Sequence, residues 1–154
     1  SKIHQGLAIV MFDSILVICT GNICRSPIAE RMLRKCLPHK RIDSAGVGAM
    51  VDNPADDMAI YISSKHGLSL TGHKGRQFSS SMAREYELIL VMENKHIEEI
   101  SKIAPQARGK VMLLGYWMNS KQIPDPYRKS EEAFELVYQL IEKSCELWAA
   151  KLAK

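Results

Sequence analysis

The chain has 154 residues, of which 46% are apolar and 25% charged, and carries a net charge of +4. That length suits one domain with its own core, in a composition ordinary for a soluble globular protein. No apolar run approaches the roughly 20 residues of a membrane span. The mild, scattered positive charge suits an anionic substrate and argues against nucleic acid as a partner.

Residues 1–10 fit no later element and are expected to be an N-terminal extension, natural or appended, ahead of a single domain over 11–154. Asp13 interrupts the first apolar stretch and no small-residue cleavage site follows it, so no signal peptide is expected and a cytoplasmic location is the default. Under that reading Cys19, Cys24, Cys36 and Cys145 are reduced thiols, and chemistry rather than stapling would explain any special one.

In chain order, Ser14 to Thr20 reads as a first strand, its unbroken apolar run pointing to burial on both faces. Pro27 to Leu37 reads as a helix with Pro27 near its first position, burying Ile28, Met32 and Leu33. Arg41 to Ala45 is a short second strand ending at Gly46. A second helix is expected to open with Asn53 as cap and Pro54 in the first turn, Asp56 and Asp57 complementing its positive end, and to stop at Gly67. Tyr86 to Val91 is a third strand, Glu93 to Ala104 a helix stopped by Pro105, and Lys110 to Leu114 a fourth strand. From Ser130 to about Leu152 a final helix aligns Phe134, Val137, Tyr138, Ile141, Cys145 and Trp148 on one face. Strands alternating with helices predict an α/β sandwich around a parallel sheet.

The most telling stretch is Cys19-Thr20-Gly21-Asn22-Ile23-Cys24-Arg25-Ser26-Pro27, between the first strand and the first helix. Ligands of open α/β sheets bind at such strand-to-helix turns. Gly21 is expected to supply backbone angles closed to other residues, and Asn22 tolerates the left-handed region. Successive N–H groups then form a nest that, with the helix N-terminus, binds an anion such as phosphate and favours a thiolate nucleophile at Cys19. Arg25 offers a planar fork for two phosphate oxygens, which lysine lacks. Ser26 is placed to donate its hydroxyl to the Cys19 sulfur. The plainer alternative is that Cys19 is a buried strand-end residue. Asp125, stiffened between Pro124 and Pro126, is the candidate general acid, although Asp-Pro by itself is an ordinary turn signal.

These residues resemble the low-molecular-weight protein tyrosine phosphatases, from about Phe12 to the C-terminus. The signature loop is matched by Cys19 to Pro27 and the acid loop by Asp125-Pro126-Tyr127. Asp43-Ser44-Ala45-Gly46 and Gly72-His73-Lys74 resemble further segments of that family. The resemblance implies a four-stranded parallel sheet flanked by helices, and phosphotyrosine hydrolysis in two steps without metal or other cofactor. It gives Cys19 the role of nucleophile, Arg25 that of phosphate binder and Asp125 that of general acid and then base. Thr20, Gly21, Asn22, Ile23, Cys24 and Ser26 complete the phosphate loop.

The resemblance further implies that Ser44 and His73 support Asn22, where the residues alone read as a turn serine and a surface histidine. Met50 and Tyr127 would wall the substrate slot, Met50 reading equally as a core or surface methionine. Cys24 matches a position that forms a reversible disulfide with the nucleophile in relatives, while Cys36 and Cys145 read as structural. The stretch from Ile123 to Ser130 looks most like bacterial members paired with autophosphorylating, membrane-associated tyrosine kinases of capsule or exopolysaccharide export. Oligomeric state is left open.

Three competing readings differ in chemistry. An arsenate reductase needs relay cysteines, and none lies between Cys36 and Cys145. A protein-arginine phosphatase of the same fold carries threonine where this chain has Ile23. A catalytically silent phosphotyrosine-binding module would have no need of Cys19, Arg25 and Asp125 together.

Overall fold

The apolar run at the start of the domain forms strand β1, Ser14–Cys19, whose last five residues are all buried. The computed structural model describes residues 12–153, so the expected extension over 1–10 lies outside the described residues. β1 pairs in parallel with β2 (Arg41–Gly46) on one side and β3 (Leu88–Val91) on the other, and β4 (Val111–Leu113) adds beyond β3. The order β2-β1-β3-β4 makes β1 an inner strand, as its uniformly apolar sequence requires.

Alternate residues of the strands serve two separate cores. Ile15, Val17, Leu88, Leu90 and Met112 pack on one face, against helices α1 (Arg25–Cys36), α2 (Asp57–Lys65) and α5 (Glu131–Leu152). Leu16, Ile18, Ile89 and Val91 pack on the other, against α3 (Ser80–Ala83), α4 (Asn94–Ile103) and a 3₁₀ turn over Pro105–Lys110. The architecture is therefore a three-layer α/β sandwich with a four-stranded parallel sheet. The α5 stripe is buried throughout, from Phe134 to Trp148, and the Trp148 indole N–H donates to the Leu114 carbonyl at 2.8 Å. Truncating that tryptophan to alanine would cost about 3–5 kcal/mol.

Three local expectations need correction. The helix after the loop begins at Arg25, two residues before Pro27, so Arg25 itself sits in its first turn. The second helix is capped by Asp56 rather than Asn53: the Asp56 carboxylate accepts from the amides of Met58 and Ala59. Pro54 therefore precedes the helix, and the Asn53 carbonyl is occupied by the Gly75 amide. The helix does stop ahead of Gly67, which takes the left-handed φ of 77°. Finally, Cys36 is exposed at the end of α1, so of the two cysteines expected to be structural only Cys145 is packed in the core.

Candidate active site

The loop from Cys19 to Cys24 leaves the C-terminal end of β1 and enters α1, and its backbone is held from outside. The carbonyls of Cys19, Thr20 and Gly21 accept from the amides of Val47, Gly48 and Met50 at 3.0–3.1 Å. The Asn22 carbonyl accepts from His73 Nε2 at 2.6 Å, and the Ile23 carbonyl from the Asp56 amide at 2.8 Å. Because C=O and N–H point oppositely across a peptide plane, turning these carbonyls outward turns the amides of Thr20 to Cys24 inward. The Asn22 amide accordingly points at Cys19 Sγ, 3.3 Å away. The result is a cup of N–H groups at a helix N-terminus with a thiol at its base.

Asn22, not Gly21, takes the unusual backbone, with φ at 58°. Gly21 is outside the positive-φ region, and a Cβ there would make only ordinary contacts with Ile23 and Met50. The cost of the Asn22 conformation is offset by a fully used side chain. Its Nδ2 donates to Ser26 Oγ at 2.7 Å and to Ser44 Oγ at 3.0 Å, and its Oδ1 accepts from the Arg76 amide at 2.9 Å. Ser44 in turn donates to the buried Glu30 at 2.9 Å. Ser26 Oγ, which accepts from Asn22, also lies 2.9 Å from Cys19 Sγ, and a thiolate there can only accept its hydrogen. Gly46 lets β2 approach this close: a Cβ there would lie 2.3 Å from the Thr20 carbonyl oxygen.

Arg25 is 1% exposed. Its Nη1 donates to Glu93 at 2.5 Å and to the Ile123 carbonyl at 2.8 Å, which uses both hydrogens of that nitrogen. The Nε–Nη2 edge is thereby left as the fork available to an anion, with the Asp125 carboxylate 3.8 Å from Nη2. Asp125 is far more open, and its Oδ1 accepts from the Tyr127 amide at 3.0 Å. Above the cup lies a cleft of about 180 Å³, lined by Cys19, Ile23, Gly48, Met50, Asp125 and Tyr127 among others. Its walls are largely apolar, and Met50 and Tyr127 are partly exposed at its edge.

The sequence residues thus come together, and the comparisons with known proteins agree on their family. A family model described as low molecular weight phosphotyrosine protein phosphatase matches residues 14–154. The chain belongs to that family. A putative low molecular weight protein-tyrosine-phosphatase of Klebsiella pneumoniae is 62% identical over 142 residues, covering 92% of this chain and 99% of the relative. The crystal structure of the tyrosine phosphatase Wzb from Escherichia coli K30, in complex with sulphate, superposes with a TM-score of 0.91 at 64% identity, covering 92% of this chain and 99% of that one. Wzb of Vibrio vulnificus in complex with benzylphosphonate superposes at 0.90 with 49% identity, again covering 92% and 99%.

Within this phosphatase, several neighbours of the site were not anticipated from sequence. Arg76, Glu93 and His96 touch the loop or its arginine from 54, 68 and 76 residues away along the chain, and Glu30 on α1 supports Asn22 only through Ser44. A helix glutamate or an Arg in a turn carries no signal of such a role, because only the sheet order brings it near. His73, by contrast, is buried, and burial lowers its basicity although the bond to the Asn22 carbonyl opposes this. Cys24 is also buried; desolvation first, and then the nearby Asp56 carboxylate, push its thiol well above the usual range. Cys19 and Cys24 are both free thiols. Among the described residues, no helix is long and apolar enough to cross a membrane.

Proposed function

We propose that this phosphatase hydrolyses phosphotyrosine through a cysteinyl-phosphate intermediate. Cys19 Sγ attacks phosphorus while the inward amides of the loop and the Nε–Nη2 edge of Arg25 hold the equatorial oxygens. The P–O ester bond breaks, its electron pair stays on the tyrosyl oxygen, and Asp125 gives that oxygen a proton. Asp125, now a carboxylate, takes a proton from water as the water oxygen attacks phosphorus. The S–P bond then breaks, returning the thiolate and releasing inorganic phosphate. Ser26 stabilises the thiolate at both ends of this cycle.

One observation carries the reading: a thiol at the floor of an amide cup at a helix N-terminus, whose first turn carries a buried arginine with its Nε–Nη2 edge left for an anion. The apolar walls supplied by Ile23, Met50 and Tyr127 suit a flat aromatic ring rather than a charged guanidinium. Benzylphosphonate, held by the Vibrio vulnificus relative, joins an aromatic ring to a phosphonate and has the chemistry this cleft would take. The physiological substrate in this reading is an autophosphorylated, membrane-associated bacterial tyrosine kinase controlling capsule or exopolysaccharide production, met in the cytoplasm. That step rests on the Ile123-to-Ser130 stretch and on the similarity to the Wzb phosphatases.

The test is turnover of p-nitrophenyl phosphate and a phosphotyrosyl peptide by the parent protein and by Cys19→Ser, with rapid quench of labelled substrate. Label on Cys19, and loss of turnover by at least about 10³-fold in the variant, are expected. Label on another side chain, or equal rates, would overturn the nucleophile. A clear preference for phosphoarginine, assayed in parallel, would overturn the substrate.

A further inference from the structure

The N-terminus of α4 closes on itself as a reciprocal box. The Glu93 side chain accepts from the backbone three residues on, and the Glu93 amide donates to His96 Nδ1 at 3.1 Å. Both side chains of the box also reach out of it, to opposite ends of the phosphate loop. Glu93 holds Arg25, at the end of the loop, and His96 Nε2 lies 3.0 Å from Thr20 Oγ1, directly after Cys19.

The hydrogen bonds assign the imidazole tautomer. Nδ1 accepts from a backbone N–H, so the ring proton of the neutral form sits on Nε2 and is donated to Thr20. We propose that His96 is a positioning residue, and that the α4 box acts as one clamp setting the spacing between the two ends of the loop. This rests on the phosphatase reading above. The imidazole is fully buried, and burial is the main cause holding it neutral; it would titrate only near about 4. Of the charges facing it, Arg25 on α1 and Lys95 on α4 oppose protonation, whereas Glu93 and Asp125 favour it. A protonated ring would set an Nδ1–H against the Glu93 N–H and open the box.

The clamp predicts coupling rather than independent losses. Kinetics of p-nitrophenyl phosphate hydrolysis should be measured for the parent, His96→Leu, Thr20→Val and the double variant. Each single change should lower kcat about 3- to 10-fold, the worth of one neutral hydrogen bond, with little change in KM. The double should be no worse than the poorer single. His96→Gln, which offers one acceptor and one donor, and Thr20→Ser should each recover most of the loss. Multiplying losses in the double, or a Thr20→Val variant with the parent's kcat, would overturn the clamp. If His96→Leu does not fold, Thr20→Val and Thr20→Ser decide the matter alone.

Nitrogen NMR of the parent at pH 6 supplies a readout independent of turnover. A neutral His96 carrying its proton on Nε2 is expected, and an imidazolium or an Nδ1–H tautomer would sink the proposal. A parent protein without phosphatase activity would count against the function proposed above. The tautomer would then still decide whether the box is built as described.

Discussion

The loop from Cys19 to Cys24 and the loop carrying Asp125, proposed as phosphate binder and acid, line one cleft, yet they are built in opposite ways. Around the first, every carbonyl from Cys19 to Ile23 is tied to another segment, Asn22 is fully buried, and Arg25 has one nitrogen saturated by protein. Asp125 sits on a half-open turn, its side chain 45% exposed and fastened mainly to the Tyr127 amide. A group that must match charge developing at phosphorus gains from dipoles fixed beforehand. A group that hands over a proton needs reach and solvent contact more than rigidity.

The sharpest way to break this contrast is at Arg25. Arg25→Lys keeps the charge but loses the fork, and kcat should fall about 10²–10³-fold whatever the leaving group. Steady-state kinetics on two esters would show it, and an undiminished rate would mean the Nε–Nη2 edge is not used. Asp125→Ala should behave differently, losing about 10²-fold or more on phosphotyrosine but much less on p-nitrophenyl phosphate, whose leaving group needs little help. Equal losses on both substrates would erase the distinction between the two loops.

Smaller effects come from the scaffold. Asn22→Ala places an ordinary residue at φ 58° and strands Ser44, Ser26 and the Arg76 amide. It should lower kcat roughly 10-fold and stability by about 1–3 kcal/mol, read by urea unfolding. Smallest is a pH effect on stability. His73 and His96 are both less basic when folded than the usual 6.5. Below about pH 6.5 the unfolded chain therefore binds protons that the folded chain refuses. The histidine contribution should be full above that point, decline as pH falls toward 4 and level off below the folded value of His96, while the depressed carboxyls of Asp43 and Glu135 extend the loss at still lower pH. Urea titrations at pH 7 and 4.5 would show the decline, and His96→Gln should remove its share.

Much of this was readable beforehand where the signal is local. The unbroken apolar β1, the stripe on α5 and the alternation of strand with helix follow from periodicity, since burial on one or both faces writes itself into the sequence. So does the spacing from Cys19 to Arg25. Errors arose where several residue types could do the same local job. Asn53 and Asp56 are both good caps, and contact between the Asp56 amide and the Ile23 carbonyl favours the second. Gly21 and Asn22 can both turn left-handed, and the partners waiting for the Asn22 side chain decide between them.

By itself, then, the amino-acid order determined the layers of this molecule and which short segment faces an anion, because hydrophobic period and strand-to-helix turns are properties of neighbouring residues. Only the folded sheet decided which nitrogen of Arg25 stays free, which way the loop amides point, and that Glu93 and His96 from one helix end grip both ends of the loop. Those are contacts between segments far apart in the chain, set by β1 lying between β2 and β3.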